Sequence, residues 1–292
     1  MRLPQAYDLF VRERRFITNV SPKTLDWYKN SWQAFSRHVD SNSLIADLDS
    51  AQLKAATIGL AASGLKAVSV NTHLRAINAF LNWAHQEGLL PKRLRAARLI
   101  TEQKLPDILS PDQITVLLAV KPDGFAQQRT HALAMLILDT GLRLSECLNL
   151  QRSSIDQDQS TIQVLGKGRR HRIVPVSSRM LGHLFRWLRR HSDDVVFPRM
   201  AGGPMKSRMV LTNFKALQLC AGITDVRFSP HTLRHTFASY YIKNGGGEFR
   251  LQRILGHTTL EMTRRYVQLQ TEDLSEVHDS LSVLSVGPNR KR

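Results

Sequence analysis

One stretch, TIQVLGKGRRHRIVPV (Thr161 to Val176), interrupts a chain that otherwise repeats apolar residues at helical spacing, and this exception constrains the fold most. Two β-branched runs flank Gly166-Lys167-Gly168, the pattern of a hairpin that carries Lys167 at an exposed tip. Elsewhere the helical signals are direct. SPKTLDWYKNSWQAFSRHV opens with Ser21 as N-cap and Pro22 at the first helical position, then sets Leu25, Tyr28, Trp32, Phe35 and Val39 on one core-facing side. SVNTHLRAINAFLNWAHQEG starts near Ser69, repeats Leu74, Ile77, Phe80, Leu81 and Ala84, and stops at Gly88. With weaker helices over Leu3–Ile17 and Ser50–Ser63, the first hundred residues predict a four-helix domain. The expected class is mainly α with a small β-hairpin or sheet.

Mixed polarity, Pro106 and the lack of an amphipathic face make Leu99–Ser110 the linker, which divides a helical domain at 1–98 from a second domain at 111–270 and a tail at 271–292. In the second domain SPDQITVLLAV repeats the Ser-Pro helix opening. RTHALAMLILDTGLRLSECLNL reads as a buried helix, a break at Gly141 and a second helix starting near Leu144. Gly245–Gly247 forms a turn between two later helices.

Charge points to the partner. The 292 residues carry a formal net charge of +17, and the excess is spread along the chain. Residues 1–105 hold 15 Lys and Arg against 8 Asp and Glu, while residues 106–292 hold 26 against 16. Two basic halves fit one long polyanion touched by both, with nucleic acid the first candidate. The longest clean apolar run, ALAMLIL, is far too short to span a membrane, and the first twenty residues lack the apolar core of a signal peptide. The two cysteines, Cys147 and Cys220, have no paired spacing, which fits a reduced cytosolic protein without a disulfide framework or cysteine metal site.

Four clusters could carry chemistry: TGLRLSE with Arg143, GKGRR with Lys167, HTLRHTFAS with His231 and Arg234, and LGHTTLEMTRRY with His257 and Tyr266. Singly, each has an ordinary structural use: a helix-end charge, a solvated turn, a cap, a core aromatic. Together they meet the needs of one reaction. A tyrosine nucleophile, with its ordinary pKa near ~10, must pass its proton to a base such as histidine. Attack on a phosphodiester builds charge on the non-bridging oxygens. Planar guanidiniums such as Arg143 and Arg234 can clamp it, with His257 as a further donor. The departing 5′ oxygen needs a proton, which Lys167 on its hairpin could supply. His231 and His235 are four apart, but Arg234 stands between them and no glutamate accompanies them, so a zinc site is not expected; GKGRR lacks the spacing of a Walker loop, so neither metal, cofactor nor ATP is called for.

TGLRLSECLNL, the hairpin lysine, HTLRHTFAS and LGHTTLEMTRRY, in that order, resemble the successive motifs of the tyrosine recombinase (phage integrase) family. The resemblance is strong over about Pro106–Leu269 and looser over the first hundred residues, which are similar to that family's core-binding domain. It implies a helical core-binding domain and a mixed α/β catalytic domain that clamp duplex DNA, with a homotetramer on two specific recombination sites and strand exchange through a 3′-phosphotyrosine. It carries the catalytic roles to Arg143, Lys167, His231, Arg234, His257 and Tyr266, and a supporting acidic role to Glu146. Arg169, Arg170, Arg264 and Arg265 are expected to contact DNA. Cys147 stands where leucine is commoner and Gln268 where histidine is frequent, and neither removes a catalytic group. Helices beginning almost at Met1 favour a compact Xer-like or simple mobile-element recombinase, cytoplasmic, bacterial and nucleoid-associated. The tail Asp273–Ser285, with Leu274, Val277, Leu281 and Leu284 on one face, is expected to link subunits.

Two rival functions stay open at the level of sequence. A type IB topoisomerase shares the phosphotyrosine chemistry but relaxes supercoils as a monomer. A DNA-binding accessory protein could keep the fold without turnover.

Overall fold

A computed structural model describes residues 1–102, 106–166, 171–256 and 263. The chain divides into two compact units, Met1–Gln103 and Lys104–Arg292. No helix among the described residues is long and apolar enough to cross a membrane.

The first unit is built from α1 (Leu3–Phe16), α2 (Pro22–Phe35), α3 (Ser50–Ala62) and α4 (Ala67–Gln86). Ser21 caps α2 as its sequence predicts: its Oγ accepts the Thr24 N–H at 3.2 Å. Of the predicted face, Tyr28 and Phe35 are buried and Leu25 and Trp32 half-buried, whereas Val39 lies beyond the helix, which ends at Phe35. Leu74, Ile77, Phe80, Leu81 and Ala84 of α4 are all buried. Aromatic rings fill the space between these helices. Tyr7 stacks on Trp32 at 4.3 Å and donates its hydroxyl to Tyr28 O at 2.7 Å, so its polar end is satisfied inside the core. After α4 the chain stays on this unit, because the Asn71 and Asn78 amides pair with the backbones of Leu99 and Ala96.

The second unit contains α5 (Pro111–Ala119), α6 (Gly124–Thr140), α7 (Leu144–Leu148), α8 (Ser178–Leu188), α9 (Ser207–Cys220), α10 (Pro230–Lys243) and α11 (Glu248–Leu255). Its centre is α6, buried without interruption from Arg129 to Ile137 and packed against α8, α9 and α10. The predicted break follows, where Gly141 adopts φ +64° and ends α6 in the left-handed cap that favours glycine. A small antiparallel sheet comprises β1 (Ile155–Asp156), β2 (Thr161–Leu165) and β3 (His171–Pro175) in that order. The pairing of β2 with β3 realises the predicted hairpin, while β1 adds a third strand that the sequence did not suggest. Ile162 pairs with Val174 and Val164 with Arg172, so these four residues share the inward face.

Candidate active site

The site begins at the end of α6. Once Gly141 has turned the chain, Arg143 becomes the N-cap of α7 and Glu146 its third helical residue. The Glu146 carboxylate accepts the Arg143 backbone N–H at 2.8 Å and its Nη1 at 3.0 Å. Glu146 is buried, its side chain only 4% exposed, whereas that of Arg143 is 30% exposed. An acid so buried requires compensation, and one arginine that faces solvent is not enough.

The rest comes from β3. Arg172 donates to both Glu146 oxygens, Nη1 to Oε1 at 2.7 Å and Nη2 to Oε2 at 2.8 Å. Burial pushes the Glu146 carboxyl up, but the hydrogen bonds from Arg172 and Arg143 and their positive charges outweigh it, holding the group below the usual carboxylate range. Burial and the Glu146 charge push the neighbouring Cys147 thiol well up, so that sulfur is an inert core group.

Arg234 enters from α10, where Ser229 caps the helix and Pro230 occupies its first turn. Buried to 5% exposure, it donates Nη1 to Gly141 O and Nη2 to Leu255 O, the latter at 2.9 Å. His231 lies three residues earlier on the same helix, one turn from Arg234, with an exposed side chain.

These elements converge on the C-terminal end of α11. A helix leaves its last four carbonyls without intrahelical donors, and each needs a partner when buried. The Gly256 N–H serves Gln252 O and Arg253 O. Three arginines then serve the next three in sequence: Arg172 Nε donates to Ile254 O at 2.8 Å, Arg234 to Leu255 O, and Arg143 Nη2 to Gly256 O at 3.0 Å. Cations at this end also complement the helix dipole. Gly256, at φ +62°, closes α11 in a left-handed cap, and a Cβ there would crowd the Arg172 guanidinium at 3.2 Å. The next residue is His257.

The structure therefore gathers Arg143, Glu146 and Arg234 around one helix end and adds Arg172, which the motifs did not single out. Lys167, Arg169, Arg170, His257, Arg264, Arg265 and Tyr266 lie outside the described residues. So does the tail. Thr263, three positions before Tyr266, is described and buried. The arrangement can do one thing well: it fixes the direction of the part-exposed Arg143 guanidinium, a forked donor suited to an anion.

Residues 107–273 match the phage integrase family. The chain is 32% identical to the tyrosine recombinase XerC of Xanthomonas campestris pv. campestris (strain B100) over 94% of its own length and 87% of the relative's. It is also 32% identical to the XerC of Xylella fastidiosa (strain M23), over 96% of each. Among solved structures it is similar in fold to the Tn1549 transposon integrase in complex with circular intermediate DNA. That likeness has a TM-score of 0.75 at 21% identity and covers 91% of this chain and 95% of that one.

Proposed function

Because the chain belongs to the phage integrase family, and is a tyrosine recombinase that cuts and rejoins DNA at specific sites, we propose that Tyr266 is its nucleophile, with Arg143, Arg234 and His257 on the scissile phosphate. The Tyr266 hydroxyl attacks phosphorus as its proton passes to His231. The bond to the 5′ oxygen breaks, Lys167 protonates that oxygen, and the DNA is left joined through a 3′-phosphotyrosine. Attack by the 5′ hydroxyl of a second strand reverses these steps and returns the proton to Tyr266. One phosphoester replaces another at each stage, so the reaction needs no ATP and is assigned no metal or cofactor.

The observation that carries this reading is that Arg143 and Arg234, from different helices, donate to the adjacent carbonyls of Gly256 and Leu255. The Arg143 guanidinium has five donors in a planar fork, and its contacts to Glu146 and Gly256 O set its direction while the side chain stays 30% exposed to an arriving phosphate. The sequence runs from those carbonyls straight into His257 and, nine residues on, Tyr266. Relatives named as recombinases leave the topoisomerase and accessory readings without support.

Around this chemistry we place residues 1–98 as the core-binding half, 99–110 as linker and 111–270 as the catalytic half. Arg169, Arg170, Arg264 and Arg265 contact the DNA backbone, and residues 271–292 tie each subunit to its neighbour in a homotetramer on two sites. The working location proposed for such an enzyme is the bacterial cytoplasm, on nucleoid DNA.

Trapping on a nicked recombination site tests the assignment. Wild type accumulates a protein–DNA adduct that survives denaturation, and Tyr266→Phe binds the site but forms none. An adduct from Tyr266→Phe at the wild-type rate would remove Tyr266 from its role.

A further inference from the structure

Arg172 occupies a place that strand alternation would ordinarily give to an apolar side chain. It pairs across the sheet with Val164, which is buried, and shares its face with Val174, which is fully buried. Its neighbour Ile173, the residue hydrophobicity would send inward, is 66% exposed. An arginine turned into a protein interior needs acceptors, and Arg172 has three: both Glu146 oxygens and Ile254 O.

The charge balance suggests why it is there. One carboxylate, Glu146, faces two guanidiniums. If Arg143 were its sole partner, the pair would sum to zero, and the carboxylate would draw the Arg143 fork onto itself and away from an arriving phosphate. Arg172 takes both oxygens at shorter distances, 2.7 and 2.8 Å, and leaves Arg143 a single side-chain contact to Glu146 at 3.0 Å. Glu146 can then orient Arg143 without neutralising it.

We infer that Arg172 is a positioning residue for the phosphate clamp: it neutralises Glu146, so that Arg143 is held in direction yet keeps its charge for the scissile phosphate. The inference rests on the reading of Arg143 as part of that clamp. Through Nε it also ties β3, the strand that follows Lys167 in sequence, to Ile254 at the end of α11.

The test is a double-mutant cycle on the full chain, read as the rate of covalent adduct formation on nicked site DNA beside melting temperature and site affinity. Arg143→Ala should slow the adduct by about 10²–10³-fold, as loss of one oxyanion donor does. Arg172→Ala should slow it by about 10–100-fold, the usual effect of removing a group that orients a functional ligand, with site affinity little changed. In the Arg143→Ala background, Arg172→Ala should cost almost nothing more, because the group it serves is gone. Arg172→Lys keeps the charge near Glu146 and should recover much of the lost rate; it also decides the matter if the alanine variant does not fold. An equal slowing by Arg172→Ala with and without Arg143 would make Arg172 a scaffold residue and overturn the inference. So would a folded Arg172→Lys slowed as much as Arg143→Ala, or a wild-type rate in Arg172→Ala. If Arg143→Ala itself does not slow the reaction, the clamp reading fails first, an outcome told apart from the others by that single variant.

Discussion

Arg234 and Arg143, ninety-one positions apart in sequence, donate to adjacent carbonyls, Leu255 and Gly256. Helix formation alone guarantees those acceptors, because the end of every helix exposes carbonyls that need donors. Catalytic direction and helix termination thereby become one arrangement: the groups that close α11 are the ones proposed to hold the phosphate. Substitutions here should move stability and rate together.

Arg234→Lys is the sharpest case. Lysine keeps the charge, but its single ammonium cannot reproduce a planar fork that spans Gly141 O and Leu255 O. Adduct formation should fall by about 10²–10³-fold, as for loss of an oxyanion donor, together with a lower melting temperature. Single-turnover trapping and thermal melting check this, and a variant with both values unchanged would show that the fork is dispensable.

Glu146→Gln should make the protein less stable at neutral pH by about 1–3 kcal/mol, because it removes the negative charge that half-buried Arg172 pairs with. The pH dependence has a definite sign. The folded carboxyl lies below its ordinary value of 4.5, so its contribution is fully present above that value and is lost as pH falls through the lower folded one. Urea unfolding from pH 7 down to pH 3 should therefore find the gap between wild type and Glu146→Gln wide at the neutral end and narrowing at the acid end. A gap that widens on acidification contradicts the ion-pair account.

Gly141→Ala should destabilise for two separable reasons. The residue sits at φ +64°, and an added Cβ would collide with Phe237 Cδ1 and Leu255 Cδ2. Strain of the left-handed backbone and overpacking together suggest about 2–4 kcal/mol. Chemical denaturation measures it, and the adduct rate should fall as well, since Gly141 O is one of the Arg234 acceptors. A neutral substitution would mean that the turn relaxes freely and does not fix Arg143.

What the sequence made legible, and what it hid, follow from the same geometry. The break at Gly141 was readable because a buried helical repeat stops at a glycine, and the hairpin was readable because its two β-branched runs flank Gly-Lys-Gly. Arg143, Arg234 and Glu146 were found through motifs. Strand β1 was not, since two residues, Ile155 and Asp156, are too few to show alternation. Arg172 was missed because it stands in a run of basic residues and no motif marks it out from its neighbours. Its inward direction follows only once Val164 and Val174 fix which face of the hairpin is buried. The acceptors at Ile254, Leu255 and Gly256 are backbone atoms, which have no sequence signature at all.

The final prediction separates the clamp from the leaving group. Lys167 is proposed to protonate the 5′ oxygen as the bond to phosphorus breaks, a contribution of about 10²–10⁴-fold if it acts as a general acid. A DNA strand with sulfur in place of that bridging oxygen releases a thiolate, which leaves without needing a proton. Lys167→Ala should therefore be severely slow on ordinary DNA and close to wild type on the sulfur strand. Arg234→Lys, whose defect lies on the non-bridging oxygens, should stay slow on both, so the two variants respond oppositely to one change of atom. Single-turnover adduct formation on matched oxygen and sulfur substrates supplies all four rates. If Lys167→Ala is as impaired on sulfur as on oxygen, the lysine serves the phosphate or the fold, and the proton must come from another group.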